Sequence, residues 1–184
     1  MDAYEHCVAH YGLEGATLER IAKQADLARP LIRHNVGNRQ ELIRGLMQRF
    51  EQRCAEFVEQ LDASIPPEFS ASELTEPLFQ RDCSTVRVAY ALGAAVSEHD
   101  EIEALIESWL TTLKQFLAVR LKRRYPQASA ACINAVAVGV GAIYSNWQAY
   151  RALGNNDDFY QHSQQAAMRL VQLCGEEEDE HISR

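Results

Sequence analysis

"ADLARPLIRHNVGNRQEL", residues 25–42, sets one proline and four side chains that are or can become cationic, Arg29, Arg33, His34 and Arg39, into helical apolar spacing. Just upstream, Leu18, Ile21, Ala22 and Ala25 fall on one face of a short helix, with Thr17 placed to cap its start. Asp26-Leu27-Ala28 then supplies a tight turn, since Asp is among the few non-glycine residues that tolerate a left-handed backbone. Pro30 suits the first turn of a second helix, where a missing N–H has no partner to lose. In that helix Ile32 and Val36 are expected to face inward with Ile21, Leu27 and Leu42, which leaves Arg29, Leu31, Arg33, His34 and Asn35 facing outward. Two short helices joined by a tight turn make a helix-turn-helix, whose second helix enters a DNA major groove.

Charge partitions along the chain in the same sense. The formal net charge is −8, yet residues 20–53 hold eight Lys/Arg against three Asp/Glu, a net of +5. Residues 54–184 carry ten Lys/Arg and nineteen Asp/Glu, including EEEDE at 176–180. A basic segment on an acidic chain implies contact with a polyanion at one end; an ordinary solvated helix face is the plainer explanation.

Elsewhere the apolar positions also recur at helical spacing, and nine Gly and five Pro in 184 residues are too few for a turn-rich β architecture, so an all-α fold is expected. Leu42, Leu46, Phe50, Cys54 and Phe57, with Ile43, Met47, Val58 and Leu61, describe one helix of about 25 residues. Further helices are expected over Val86 to Val96, from Ile102 to Leu121, over 128–153 and over 158–175, with breaks at SIPPEFSAS (64–72), Tyr125-Pro126 and LGNNDD (153–158). Arg120, Lys122, Arg123 and Arg124 sit where positive charge complements a helix C-terminus, a second phosphate contact being the alternative. The apolar segment 128–153 is interrupted by Asn134, Ser145, Asn146 and Gln148, and is read as a buried helix rather than a membrane span. Its pairs Ala135/Gly139 and Ala137/Gly141 would let another helix, internal or from a second subunit, approach closely. Cys7, Cys54, Cys83, Cys132 and Cys174 are scattered without a C-x-x-C pair or zinc-finger spacing and read as reduced core thiols. The opening MDAYEHCV lacks the form of a secretory signal, so a cytoplasmic protein is expected.

Thr17, Ile21, Ala22 and Ala25, then Leu27, Ile32, Val36, Arg39 and Leu42, resemble in order and spacing the head of the TetR family of transcriptional regulators. YGLEGAT at 11–17 looks like that family's link between its first two helices, and the motif spans about residues 3–46. Asp26 stands at the usual turn glycine, Ala28 at the usual serine and Pro30 at a glycine; Arg33 stands where the family has a phosphate-contacting tyrosine, and Asn35 near the usual histidine. The resemblance implies a helix-turn-helix DNA-binding domain over 1–46 and a helical effector-binding and dimerisation domain over 47–184. It implies a homodimer, closed by helices 128–153 and 158–175, on a palindromic double-stranded operator. On that reading Arg29, Pro30, Leu31, Arg33, His34 and Asn35 meet the major groove, and Thr17 and Arg39 meet phosphates. A small organic effector would lie among Arg87, Tyr90, Trp109, Phe116, Tyr144 and Trp147, each of which has core packing as its plainer role.

Other functions find less support. Paired carboxylates, metal-ligand spacing, a nucleophile elbow and a phosphate loop are all missing from the sequence, so neither an enzyme nor a cofactor or metal is expected. Glu98, His99 and Asp100 are adjacent, and on a helix such neighbours diverge by about 100°. A ligand-responsive repressor is the main reading, with an activator, or a helical dimer for small molecules or proteins without DNA function, as alternatives.

Overall fold

The computed structural model describes residues 1–36, 38–80, 84–95, 100–151 and 157–182, without the side chains of Arg33, Asn35, Val36, Ser84, Thr85 and 180–182. Among them are nine helices and no strand: α1 (Asp2–Gly15), α2 (Leu18–Ala25), α3 (Arg29–Val36), α4 (Arg39–Ser64), α5 (Ala71–Gln80), α6 (Ser84–Gly93), α7 (Asp100–Arg124), α8 (Ala130–Arg151) and α9 (Asp157–Ile182). Cys83, Glu98, His99 and residues 153–156 of the expected break at 153–158 lie outside the described residues. Two compact units divide the chain, one of Met1–Ala55 with Ser84–Trp109 and one of Glu56–Cys83 with Leu110–Arg184.

In the first unit α1 packs on α2 and α6, and α2 on α3. Tyr4, Cys7, Val8, Ile21, Ile32, Leu42, Leu46 and Phe50 are buried there, and Trp109 meets Phe50 edge-on at 6.4 Å. Helix α1 is bent at Gly12, whose φ of 72° an L side chain rarely adopts, so YGLEGAT turns the chain toward α2. Glu5 is buried between two cations, with Arg49 Nε at 2.8 Å and Arg53 at 3.1 Å, and Asp2 also pairs with Arg49. A carboxylate so enclosed must keep its partners, so this cluster fastens α1 to α4.

The second unit is built on α8 and α9, with α5 against both. Helix α8 is 22 residues long and by length and composition alone could cross a bilayer. A buried core helix passes the same test, and packing is what defines this one. Ile133, Val136, Ala137, Val140, Tyr144, Trp147 and Gln148 are all buried within the protein. A Cβ on Gly139 would come within 2.7 Å of Leu170 Cδ1, so this glycine admits the chain's own α9.

Three expectations change here. A short helix, α5, absent from the expected set, begins at the end of the break expected at 64–72, started by a reciprocal cap. Ser70 N–H and Oγ donate to Glu73 Oε2 at 2.8 and 2.7 Å, and Glu73 N–H donates back to Ser70 Oγ at 3.3 Å. Helix α9 continues through the acidic run, because Glu177 and Glu178 accept the Ser129 and Gln127 N–H groups at 2.9 and 3.0 Å, at the entrance to α8. The basic end of α7 chiefly binds loop carbonyls. Buried Arg120 pairs with Asp62 at 3.3 Å and donates to Ile65 and Pro66 oxygens, Lys122 to Pro126 and Ala128, and Arg124 to Phe69. Arg120 thus has no surface to offer a phosphate.

Ser70's backbone N–H and hydroxyl hold the Glu73 carboxyl below its ordinary 4.5. A depressed folded-state pKa contributes stability above the ordinary value that is lost as pH falls through the lower one. Between about pH 6 and pH 3, the urea midpoint should therefore drop further for the parent protein than for Glu73→Gln. Equal drops would show that the Ser70–Glu73 cap contributes nothing to the acid limb.

Candidate nucleic-acid interface

The helix pair α2–α3 is defined by its ends. Thr17 Oγ1 accepts the Arg20 N–H at 3.3 Å and caps α2. At the other end Asp26 adopts φ 52° and ψ 44°, the left-handed region. Leu27 N–H then bonds to Ala22 O at 3.0 Å and Asp26 N–H to Lys23 O at 3.3 Å, the two-bond pattern of a Schellman stop. Helix α3 begins three residues later, with Leu31 N–H on Ala28 O at 2.9 Å and Pro30 in its first turn. The expected turn and the expected place of the proline are both found.

Around α3, Ile32 is buried while Arg29, Pro30, Leu31 and His34 are exposed. Leu27 departs from expectation: it is 46% exposed, because it follows directly on the left-handed residue and serves the helix stop through its backbone. Arg33 and Asn35 have backbones in α3, and their side chains lie outside the described residues. Helix α4 opens with a second reciprocal cap, Asn38 N–H on Glu41 Oε2 at 2.7 Å and Glu41 N–H on Asn38 Oδ1 at 3.0 Å.

The cations near these helices divide into two groups. Arg39 pairs with Glu14 and donates to Leu13 O at 3.2 Å, joining the start of α4 to the end of α1. Below this pair Tyr4 is buried, and burial pushes its phenol up to about 12 although Arg39 acts in the opposite direction. Arg20 donates to Gly15 O at 2.7 Å and lies 4.5 Å over the Tyr11 ring. Arg49 and Arg53 hold Glu5. Lys23, Arg29 and Arg44 are exposed. About half of the positive charge counted in the sequence thus serves internal pairs, which spacing alone could not reveal.

The six aromatic and cationic side chains assigned to an effector fall in both units. In the first, Arg87 is half-buried, Tyr90 is 51% exposed and Trp109 is buried. In the second, Phe116 is half-buried, while Tyr144 and Trp147 belong to one aromatic cluster. Tyr144 stacks on Phe57 at 5.7 Å, and Tyr160 joins it through Phe79 at 6.3 Å to Trp147 at 5.2 Å. A groove of about 320 Å³ runs between α7 and α8, lined by Leu110, Thr111, Leu113, Lys114, Ala137, Val138, Gly141, Ala142 and Ser145. None of the six lines it; the α7–α8 groove was not foreseen, since an exposed Leu or Val in a helical stripe is an ordinary surface residue by sequence. Among the described residues no three His, Cys, Asp or Glu side chains converge to hold a metal ion.

No protein-family model matches the sequence, and no curated protein matches it. Solved structures share its fold. A transcriptional regulator from Rhodococcus sp. Rha1 superposes with a TM-score of 0.68 at 16% identity, over 94% of this chain and 92% of that one. A TetR-family regulator from Rhodococcus sp. gives 0.63 at 14% identity, over 92% and 95%. A transcriptional regulator from Pseudomonas aeruginosa PAO1 gives 0.60 at 17% identity, over 97% and 86%. The chain has the all-α fold of TetR-type regulators, an N-terminal helix-turn-helix followed by a helical bundle.

Thr17→Ala removes the acceptor at the start of α2 and should destabilise the protein by about 1 kcal/mol in urea unfolding, whereas Thr17→Ser should restore most of that loss. An unchanged midpoint for Thr17→Ala would show that the hydroxyl does not cap the helix.

Proposed function

We propose that this chain is a DNA-binding transcriptional regulator, a ligand-responsive repressor that acts as a homodimer on a palindromic operator. The observation that carries this reading is the outward set on α3, Arg29, Pro30, Leu31 and His34 around a buried Ile32, in a fold shared with transcriptional regulators. Arg29, Leu31, Arg33, His34 and Asn35 read base edges, since Arg can bond guanine and Asn adenine in pairs, and Leu can meet a thymine methyl. Thr17 and Arg39 meet the backbone on either side; Arg39 exchanges Glu14 for a phosphate when it does so. The division of labour runs from a reading domain over 1–46 to a regulatory domain over 47–184.

For the effector, the α7–α8 groove is the better candidate than the six residues chosen by type. Its volume lies at the lower end of small-molecule sites, its walls are mainly apolar, and Lys114 offers a charge for an anionic group. A ligand that preferred one state 100-fold would change operator affinity by at most about 2.7 kcal/mol per site. Helix α4 is continuous through both units, which gives the effect a covalent route to the reading helices. For the dimer, Leu173 on α9 is a large apolar side chain left exposed, at 46%. Gly139, which faces Leu170 of its own chain, drops out of this surface.

Titration of operator variants with Arg29→Ala and His34→Ala should relax preference at single base positions by about 1–3 kcal/mol, while Arg39→Ala should weaken every sequence alike and lower the salt slope by about one. Identical specificity profiles for all three variants would remove base readout by α3. In light scattering, Leu173→Arg should shift the protein toward monomer, and an unchanged dimer would take α9 out of the interface.

A further inference from the structure

We infer that Cys132 and Cys174 are a dithiol that closes into an intrachain disulfide on exposure to a hydroperoxide, a modification site linking the first turn of α8 to the C-terminal half of α9. The two sulfurs lie 3.7 Å apart although the residues are 42 positions apart in sequence. A disulfide bond is about 2.0 Å long, so the sulfurs need to approach by about 1.7 Å, within the sweep of a thiol turning about χ1. The surroundings hold the pair together. Cys132 N–H donates to Ser129 Oγ at 3.1 Å, and Ser129 N–H donates to Glu177 Oε2 at 2.9 Å, three residues beyond Cys174. Gln127 N–H adds a third tie, to Glu178 at 3.0 Å.

Exposure assigns the order of events. Cys132 is half-buried and Cys174 fully buried, so the oxidant meets Cys132 first. The Cys132 thiolate attacks the terminal oxygen of the hydroperoxide; the O–O bond breaks, the other oxygen leaves as an alcohol or water after taking a proton, and Cys132 becomes a sulfenic acid. Cys174 sulfur then attacks the sulfenic sulfur, the S–O bond breaks, and the hydroxide leaves as water with the Cys174 proton. Two thiols and one hydroperoxide give one disulfide, one alcohol or water, and one further water. Burial pushes the Cys174 thiol up to about 12 and raises that of Cys132, with Glu177 adding to both. Thiolate is scarce at neutral pH, and the pair therefore closes over sustained exposure rather than in a rapid burst.

Full-length protein is incubated with hydrogen peroxide, its remaining thiols are alkylated, and an unreduced digest is mapped by mass spectrometry. Of the five cysteines in the chain, two should lose their reactivity and appear as a linked 132–174 peptide pair, restored by dithiothreitol. Cys174→Ser should instead stop at a sulfenic acid on Cys132 that a dimedone probe captures. Retention of all five thiols in the parent protein, or their loss through other cysteines or through links between chains with no 132–174 pair, overturns the inference. The parent digest alone decides this if the variant fails to fold.

Discussion

One left-handed residue determines what α3 can present. Asp26 turns the chain at φ 52°, and its own N–H and that of Leu27 close the carbonyls of Lys23 and Ala22, so α2 stops and α3 starts within three residues. A left-handed backbone is costly for most side chains, and Asp is one of the few that enter it routinely. With the turn so short, the phase of α3 follows from that of α2: Ile32 joins Ile21 in the core, and Arg29, Pro30, Leu31 and His34 are left outside. A bulky or β-branched residue at 26 would strain this geometry, and with it the outward set on which the proposed function rests.

Electrostatics refine that picture. The basic segment suggests a broadly cationic surface when charges are only counted, but Arg39, Arg49 and Arg53 neutralise Glu14, Asp2 and Glu5, and Arg20 is held by a carbonyl and an aromatic face. These pairs fasten α1 to α4 and so support the helices that carry the turn. Local charge density at α3 itself, rather than the net charge of the segment, then governs attraction to a polyanion. In the second unit the same economy appears in Arg120, whose guanidinium joins Asp62 to the carbonyls of residues 65 and 66.

Local signals were the legible ones. Thr17, Asp26 and Pro30 act through their own backbone neighbours, so α2, the turn and the start of α3 could be read directly, and the apolar stripe from Leu42 to Leu61 marked α4 to within three residues at each end. Helix α5 escaped because the adjacent prolines of 64–72 marked only a break, although Ser70-x-x-Glu73 was a visible start signal. Long-range partners were not legible. Whether Gly139 meets Leu170 or another chain, whether Arg39 meets Glu14 or a phosphate, and whether Cys132 lies beside Cys174 all depend on tertiary placement. Residue type could not place a cavity: aromatic side chains bury large areas, as Tyr144 and Trp147 do in the core, while the α7–α8 groove is lined mainly by small and aliphatic residues.

Selection from a random duplex library with the full chain tests most directly whether α3 reads DNA. A reading α3 in a two-fold dimer enriches a palindrome whose half-sites are one helical turn, about 34–36 Å, or a multiple of it apart. A protein that is folded and helical by circular dichroism, yet enriches no sequence above the input pool, contradicts DNA recognition by this helix.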